Sequence, residues 1–214
     1  MKPIQYALLM IDFQNDFCLK GGYGDQCAGL DWVNPVIPRA KALLEGARAY
    51  GVPVIHTREG YASDLSDCPP LRIERSEKAG AKYGSEGPMG RLMIRGEYGN
   101  QIIEELAPIE GELQYDKNSY GAFATTTIDE DLKALGVTDL VFAGVTADIC
   151  VHTTLREATD RGYNCLYVRD AISTLNPYIR KAAEEMIRQE GGIWGEVVDS
   201  EAIIEIWAKL KASE

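Results

Sequence analysis

The stretch from Leu140 to Ala158, LVFAGVTADICVHTTLREA, limits the folds open to this chain more than any other. Leu140, Val141, Phe142 and Ala143 form an unbroken apolar run, the composition of a central strand in a parallel sheet. Gly144 ends the run where a side chain would obstruct a sharp change of direction. After a turn through Val145 to Asp148, the residues from Ile149 to Arg161 suit a helix, with Gly162 placed as its left-handed terminator. The spacing predicts strand, tight turn and helix, with Cys150 in the first helical turn. A thiol there lies at the positive end of the helix dipole beside unpaired backbone N–H groups, which favours thiolate and offers a cradle for an oxyanion. Cysteine also serves as a small buried hydrophobe, so position alone leaves both roles open.

The same alternation runs through the chain. A strand from Ile4 to Asp12 leads, through a loop holding Gly21, Gly22 and Gly24, to a helix from Val36 to Tyr50 stopped by Gly51. Strand Val52 to Thr57 follows at once, a connection that favours a right-handed crossover and parallel pairing. From Arg58 to Glu97 there is little periodicity and much Gly, Pro and charge, in a segment longer than ordinary connections and therefore functional or mobile. Its Arg72, Arg75, Arg91 and Arg95 either stay solvated or reach a site. A short helix at Gln101 to Leu106, strand Leu113 to Asp116, and helix Ile128 to Leu135 come before the Cys150 unit. Strand Asn164 to Arg169, a helix opened by Asn176-Pro177 and running through Ile187, strand Ile193 to Val198 and helix Glu201 to Leu210 come after it. This is the pattern of an α/β protein with a six-stranded parallel sheet, read as one domain over 1–214.

Two more residues bear on chemistry. Asp12 closes the apolar strand and Lys117 follows Leu113 to Asp116, so both emerge at carboxyl ends of parallel strands, where open α/β sheets build their sites. An aspartate at a strand end often caps a turn, and most lysines are surface residues. A carboxylate straight after so apolar a strand is nevertheless costly unless paired, and pairing with Lys117 satisfies both. No glycine-rich phosphate loop follows the first strand, where the sequence is DFQNDF, which speaks against a flavodoxin-like nucleotide binder. The net charge of −11 disfavours nucleic acid and anionic membrane surfaces as partners. No stretch approaches the roughly 20 apolar residues of a membrane span, and the N-terminus lacks a signal-peptide pattern, so a cytoplasmic location is expected. Cys18, Cys27, Cys68, Cys150 and Cys165 show no repeated spacing and no CxxC pair, and the histidines are His56 and His152 alone. Neither a disulfide framework nor a histidine metal cluster is expected, and catalysis should need no metal or cofactor. His152, two residues past Cys150, points to another side of the helix, and His56 reads as a packed polar residue.

In order and spacing, ALLMIDFQNDF, YDKNSYGAF and GVTADICVHTTLREA resemble the isochorismatase-like cysteine hydrolases with their Asp, Lys, Cys triad. The segments HTREG, SDCPP, GPMGRLMIRGEYGNQIIEELAPIEGE, DRGYNCL and EGGIWG are similar to the biuret and triuret hydrolase branch, so the resemblance spans nearly the whole chain. It implies a Rossmann-like three-layer α-β-α sandwich of strand order 3-2-1-4-5-6. It also implies Cys150 as nucleophile, Asp12 as general base and Lys117 as the orienting cation. A cis peptide between Val145 and Thr146 would aim the backbone N–H groups of Thr146 and Cys150 as an oxyanion hole. Phe17, Thr146 and Glu190 would contact substrate, and the histidine metal motif of the related nicotinamidases is absent. A homo-oligomer, tetramer or dimer, is implied, with Tyr61 and the Arg58 to Arg95 segment partly buried between chains. The implied reaction is hydrolysis of the terminal carboxamide C–N bond of a small ureide, triuret or biuret, through a thioester with release of ammonia. A ureidoacrylate- or nicotinamide-type amidase of the same superfamily, and a non-catalytic α/β binding protein, are the alternatives. Glu190 in RQEGG stands where the biuret-hydrolase pattern has glutamine; a carboxylate only accepts hydrogen bonds, which favours the N–H-rich triuret over biuret.

Overall fold

The computed structural model describes residues 5–213, so Ile4, the expected start of the first strand, lies outside the described residues. In β1 (Tyr6–Ile11) every residue after the first is buried. Leu8 and Met10 enter one hydrophobic layer while Ala7, Leu9 and Ile11 enter the other, the two-residue period of a strand covered on both faces. Two short helices, α1 (Asn15–Cys18) and α2 (Tyr23–Ala28), precede α3 (Ile37–Tyr50) and β2 (Val54–Glu59). β2 starts and ends two residues later than expected. Pro53 brings no N–H to a ladder, and at the far end Arg58 and Glu59 still pair with Asp116 and Lys117.

The Arg58–Glu97 stretch is a built part of the molecule. It holds α4 (Pro70–Lys78) and a two-stranded ribbon of β3 (Glu86–Gly87) and β4 (Gly90–Arg91). Tyr61, Cys68, Tyr83, Leu92, Met93 and Ile94 are buried, with Tyr61 0% exposed inside its own chain. The expected helix at Gln101–Leu106 is replaced by single 3-10 turns at Tyr98–Asn100 and Glu104–Leu106.

Then come β5 (Leu113–Lys117), α5 (Ile128–Ala134), β6 (Asp139–Val145), a wide π-turn at Ala147–Val151, and α6 (His152–Asp160). Next are β7 (Asn164–Ser173), which runs past Arg169 through a register shift opposite Phe142 and Gly144, α7 (Pro177–Arg188), β8 (Glu196–Val198) and α8 (Ser200–Ala212). Asn176 caps α7, its side-chain oxygen accepting the Tyr178 N–H at 2.9 Å.

The main sheet is ordered β5-β2-β1-β6-β7-β8 with every pair parallel; counted along the chain, its strands run 3-2-1-4-5-6. One face is covered by α3 and α8 through Leu43, Leu44, Ala47, Ile203 and Trp207, the other by α5, α6 and α7 through Leu132, Leu155 and Ile187. Each such leucine or isoleucine contributes about 1.5–3 kcal/mol by leaving water. Among the described residues no helix is long and apolar enough to cross a membrane. Gly144, at φ 144°, is where β6 passes closest to β1: a Cβ there would stand 2.2 Å from the Ile11 carbonyl oxygen. That approach brings the turn carrying Cys150 against the end of β1.

Candidate active site

Sheet register assembles the site. Ile11 pairs with both Thr57 and Gly144, and Glu59 pairs with Lys117, so the chain leaves β1, β2, β5 and β6 at one level. Asp12, one residue past β1, takes a left-handed backbone at φ 52°, a conformation sparsely used by residues other than glycine. Its carboxylate is fully buried, accepts the Thr57 hydroxyl at 2.6 Å and meets the Lys117 ammonium at 2.8 Å. Lys117, 1% exposed, also donates to the Ser119 carbonyl at 3.0 Å and stands 3.8 Å from Glu59. Burial alone would lower the lysine, but the carboxylates of Asp12 and Glu59 raise it above its ordinary value, so it stays an ammonium.

Cys150 lies in the π-turn ahead of α6, not in an α-helical first turn. Burial pushes its thiol well above the ordinary range; Lys117 pulls it down and the carboxylates of Asp12 and Glu59 push it up further. The pull of the helix start toward thiolate is thus opposed by burial and by the two carboxylates. The sulfur is buried and faces two negative groups, and it is held as a thiol that donates to Glu59 Oε2 at 3.4 Å. Asp12, Glu59 and Cys150 offer ligand-type atoms within 4.8 Å of one another, yet the Lys117 ammonium stands among them and already supplies the positive charge.

Glu59 is the functional residue missed from sequence. With β2 ended at Thr57 it fell into a loop, whereas Thr57 and Glu59, two apart on one strand, share a face. The signal that singled out Asp12, an acid at the end of an apolar strand, was present here too. Tyr61 donates to Glu59 Oε1 at 2.7 Å and accepts from Arg72 at 2.8 Å. Arg72 also donates to the Asn118 carbonyl at 2.7 Å and covers the Tyr120 ring at 4.1 Å. Of the four arginines singled out in this segment, Arg72 reaches the site; Arg91 and Arg95 tie the segment to itself through Ser63, Gly84, Gly60 and Asp67.

The cluster opens on a cavity of about 120 Å³ lined by Phe17, Tyr23, Glu59, Tyr83, Tyr120, Thr146, Ile149, Cys150 and Leu175. Phe17 and Thr146 thus stand where substrate contacts were expected. Glu190 does not: it is exposed, at φ 50° in the turn after α7, and is outside this lining. The Val145–Thr146 peptide is cis. His152 is engaged away from the thiol, its Nδ1 accepting from Arg156 Nε at 3.0 Å. His56 is buried and bonded through Nε2 to Glu112 at 2.9 Å.

The parallel α/β sheet thus gathers an acid, a lysine and a cysteine at its carboxyl edge, where open sheets of this class build their sites. Residues 6–201 match the isochorismatase domain model, and the chain belongs to that family. It is 32% identical over 188 residues to a ureidoacrylate amidohydrolase RutB of Rhizobium rhizogenes, covering 85% of this chain and 76% of that protein. A RutB of Serratia proteamaculans is 32% identical over 186 residues, covering 85% and 75%. Among solved structures, a cysteine hydrolase from Pseudomonas syringae pv. phaseolicola superposes with a TM-score of 0.80 at 23% identity, over 98% of this chain and 95% of that one, a likeness of fold. An N-carbamoylsarcosine amidase from Thermoplasma acidophilum gives a TM-score of 0.71 at 25% identity, over 92% and 98%.

Proposed function

We propose that this chain is a cysteine amidohydrolase that cleaves the terminal carboxamide of a small ureide. The observation that carries the reading is the buried Cys150 thiol, within 4.8 Å of an Asp12 carboxylate that Lys117 holds at 2.8 Å, at the wall of a cavity of about 120 Å³. That volume is well below the roughly 300 Å³ at which drug-sized sites begin, so the substrate is small.

In the proposed reaction the thiol proton passes to Asp12 as sulfur forms the C–S bond and the carbonyl π electrons move to oxygen. Backbone N–H groups of Thr146 and Cys150 receive that oxyanion, where a single donor is worth roughly 3 kcal/mol. Collapse breaks the C–N bond, and the proton on Asp12 returns to nitrogen, which leaves as ammonia. Water then adds to the thioester, giving its proton to Asp12; the C–S bond breaks, and the proton returns to sulfur. Lys117 stays charged throughout and offsets the negative charge that migrates between Asp12, sulfur and oxygen.

The substrate named in the relatives moves ureidoacrylate ahead of triuret and biuret as the first compound to test. A neutral linear ureide is the second reading. It is favoured by the lining, in which, among the described residues, the charged side chain is the Glu59 carboxylate and no cationic side chain takes part. Ammonia release from 3-ureidoacrylate, 3-ureidopropionate, biuret, triuret and nicotinamide tests the proposal; no release from any of them overturns it. The proposal includes assembly into a homodimer or tetramer, supported by the exposed Tyr178 and Ile179 beyond the cavity residue Leu175. A fully active monomer in sedimentation overturns that part.

A further inference from the structure

Among the described residues, Glu59 is the only charged side chain lining the Cys150 cavity, and it is 1% exposed. Its two oxygens have different duties. Oε1 is held by the Tyr61 hydroxyl at 2.7 Å, and Arg72 donates to the Tyr61 oxygen at 2.8 Å. A guanidinium only donates, so the single Tyr61 proton is directed to Glu59. Burial and the Glu59 charge raise the Tyr61 hydroxyl far above its ordinary value and keep that proton in place. Oε2 is left with the Cys150 thiol at 3.4 Å and the Lys117 ammonium at 3.8 Å, in a residue that lines the cavity. A thiol is a weak donor, and it gives up its proton when the sulfur attacks. At that moment Oε2 is a buried acceptor whose closest donor has gone, beside the carbonyl under attack.

We propose that Glu59 is a specificity-determining residue, whose Oε2 accepts an N–H of the substrate and so selects ureides, R–NH–CO–NH₂, over isosteres with no N–H at that position. The proposal rests on the amidohydrolase reading above. It assigns to Glu59 the acceptor role that sequence had suggested for Glu190. When substrate binds, its N–H replaces the thiol at Oε2, and the thiol is released to turn toward Asp12. Selection and activation of the nucleophile are then one exchange of partners.

The test is an oxygen-for-nitrogen comparison in two matched pairs: ethylurea with ethyl carbamate, and 3-ureidopropionate with 3-(carbamoyloxy)propionate. Each is measured by kcat/KM or, where turnover is absent, as a competitive inhibitor of the best amide substrate. Wild type should favour the urea member of each pair by about tenfold or more, as expected when a buried acceptor loses its donor. In Glu59→Gln the carbonyl of the new amide must face the Tyr61 proton, which turns its NH₂ toward the cavity, so donor meets donor. The urea preference should then shrink below about threefold, while the intrinsic reactivities of the two carbonyls cancel between the enzymes. If that variant does not fold, Glu59→Asp, which keeps the charge and withdraws the acceptor by a methylene, is held to the same outcome. A wild type that handles the members of each pair alike, or a variant with the wild-type preference intact, overturns the role of Glu59 and leaves the amidohydrolase standing. Absence of turnover on every amide and ureide overturns both.

Discussion

The two ends of the β2–β5 strand pair hold the same kinds of side chain and use them differently. At the amino end Glu112 is saturated. Arg48 grips it with two nitrogens at 2.8 and 3.0 Å, the Ile109 N–H donates at 3.0 Å, and His56 adds a bond at 2.9 Å. Burial lowers the His56 imidazole, so near neutrality it is an uncharged donor and the pair Arg48–Glu112 is balanced. At the carboxyl end Asp12 and Glu59 share the one ammonium of Lys117, and a buried thiol completes the set. The wider concavity, about 550 Å³, opens at the balanced end, with Arg48 and Glu112 in its wall already committed to each other. The Cys150 cluster, where the proposed chemistry sits, faces the smaller cavity. Volume is thus a poor guide to the site in this molecule; an excess of buried negative charge around a nucleophile is the better one.

The largest expected effect is at the unbalanced end. Cys150→Ser should lower kcat/KM on the best substrate by at least about a thousandfold, because the alkoxide precursor is a far weaker nucleophile in the same place, with the melting temperature unchanged within a few degrees. In wild type the rate of iodoacetamide inactivation should still be climbing above pH 9.0, the ordinary value that the buried thiol exceeds. Full turnover by the serine variant sinks the assignment, and an inactivation rate already level at neutral pH would show that the thiol is not held protonated.

Next is Lys117→Met, which leaves two buried carboxylates without their cation. Breaking a buried pair on one side costs about 3–5 kcal/mol, read by urea unfolding, and adding Asp12→Asn should recover part of that stability but no activity. A single variant within 1 kcal/mol of wild type would show that water reaches the cluster and that the charges are not sequestered.

Arg48→Met probes the balanced end and separates the two roles. It removes a forked ion pair and the bond to the Ala107 carbonyl at 2.9 Å, so a loss of about 2–4 kcal/mol is expected. The value of kcat/KM should move by less than about threefold, since nothing at this end touches the Cys150 cavity. A large kinetic effect from this variant would erase the distinction between the ends.

What could be read from sequence follows the same division. Buried strands announce themselves through apolar runs, so β1 and β6, and with them Asp12 and the Cys150 turn, were placed before any coordinates. Lys117 ends β5, whose preceding LQYD residues are no apolar run, so its place at a strand end is legible but its role comes from the family resemblance. Glu59 was missed because β2 was ended at Thr57, two residues before its ladder to β5 actually stops. The Arg58–Glu97 segment hid its interior because Tyr61, Cys68, Tyr83 and Met93 are buried without helical or strand period. The surroundings of the thiol are hidden from sequence for a different reason. A helix-start argument counts backbone dipoles and omits the carboxylates that tertiary structure brings alongside.

The smallest effect, and the sharpest contrast between the ends, is in the pH dependence of stability. Asp16, in α1 just beyond the carboxyl end of β1, accepts the Met93 N–H at 2.9 Å. Burial raises its carboxyl to about 6 against an ordinary 3.8, with the Met93 bond opposing and Glu97 adding to the rise. Between those values the folded state binds more protons than the unfolded one, so this residue's contribution is complete below about pH 4 and is lost as pH rises to about 6. Glu112 behaves in the opposite sense. Burial would raise it, but Arg48, the Ile109 N–H and His56 hold it at about 2 against an ordinary 4.5, so its contribution is present above 4.5 and is lost as pH falls toward 2. Asp16→Asn keeps a carbonyl for Met93 and cannot ionise, so its stability relative to wild type should grow by on the order of 2 kcal/mol between pH 4 and pH 7. Glu112→Gln should show its deficit above pH 5 and lose it progressively in acid. Urea unfolding of the three proteins at a series of pH values from 3 to 7 measures both slopes. Parallel curves for wild type and Asp16→Asn would mean that Asp16 ionises in the folded chain as it does in the unfolded one, and the opposite slopes of the two ends would not exist.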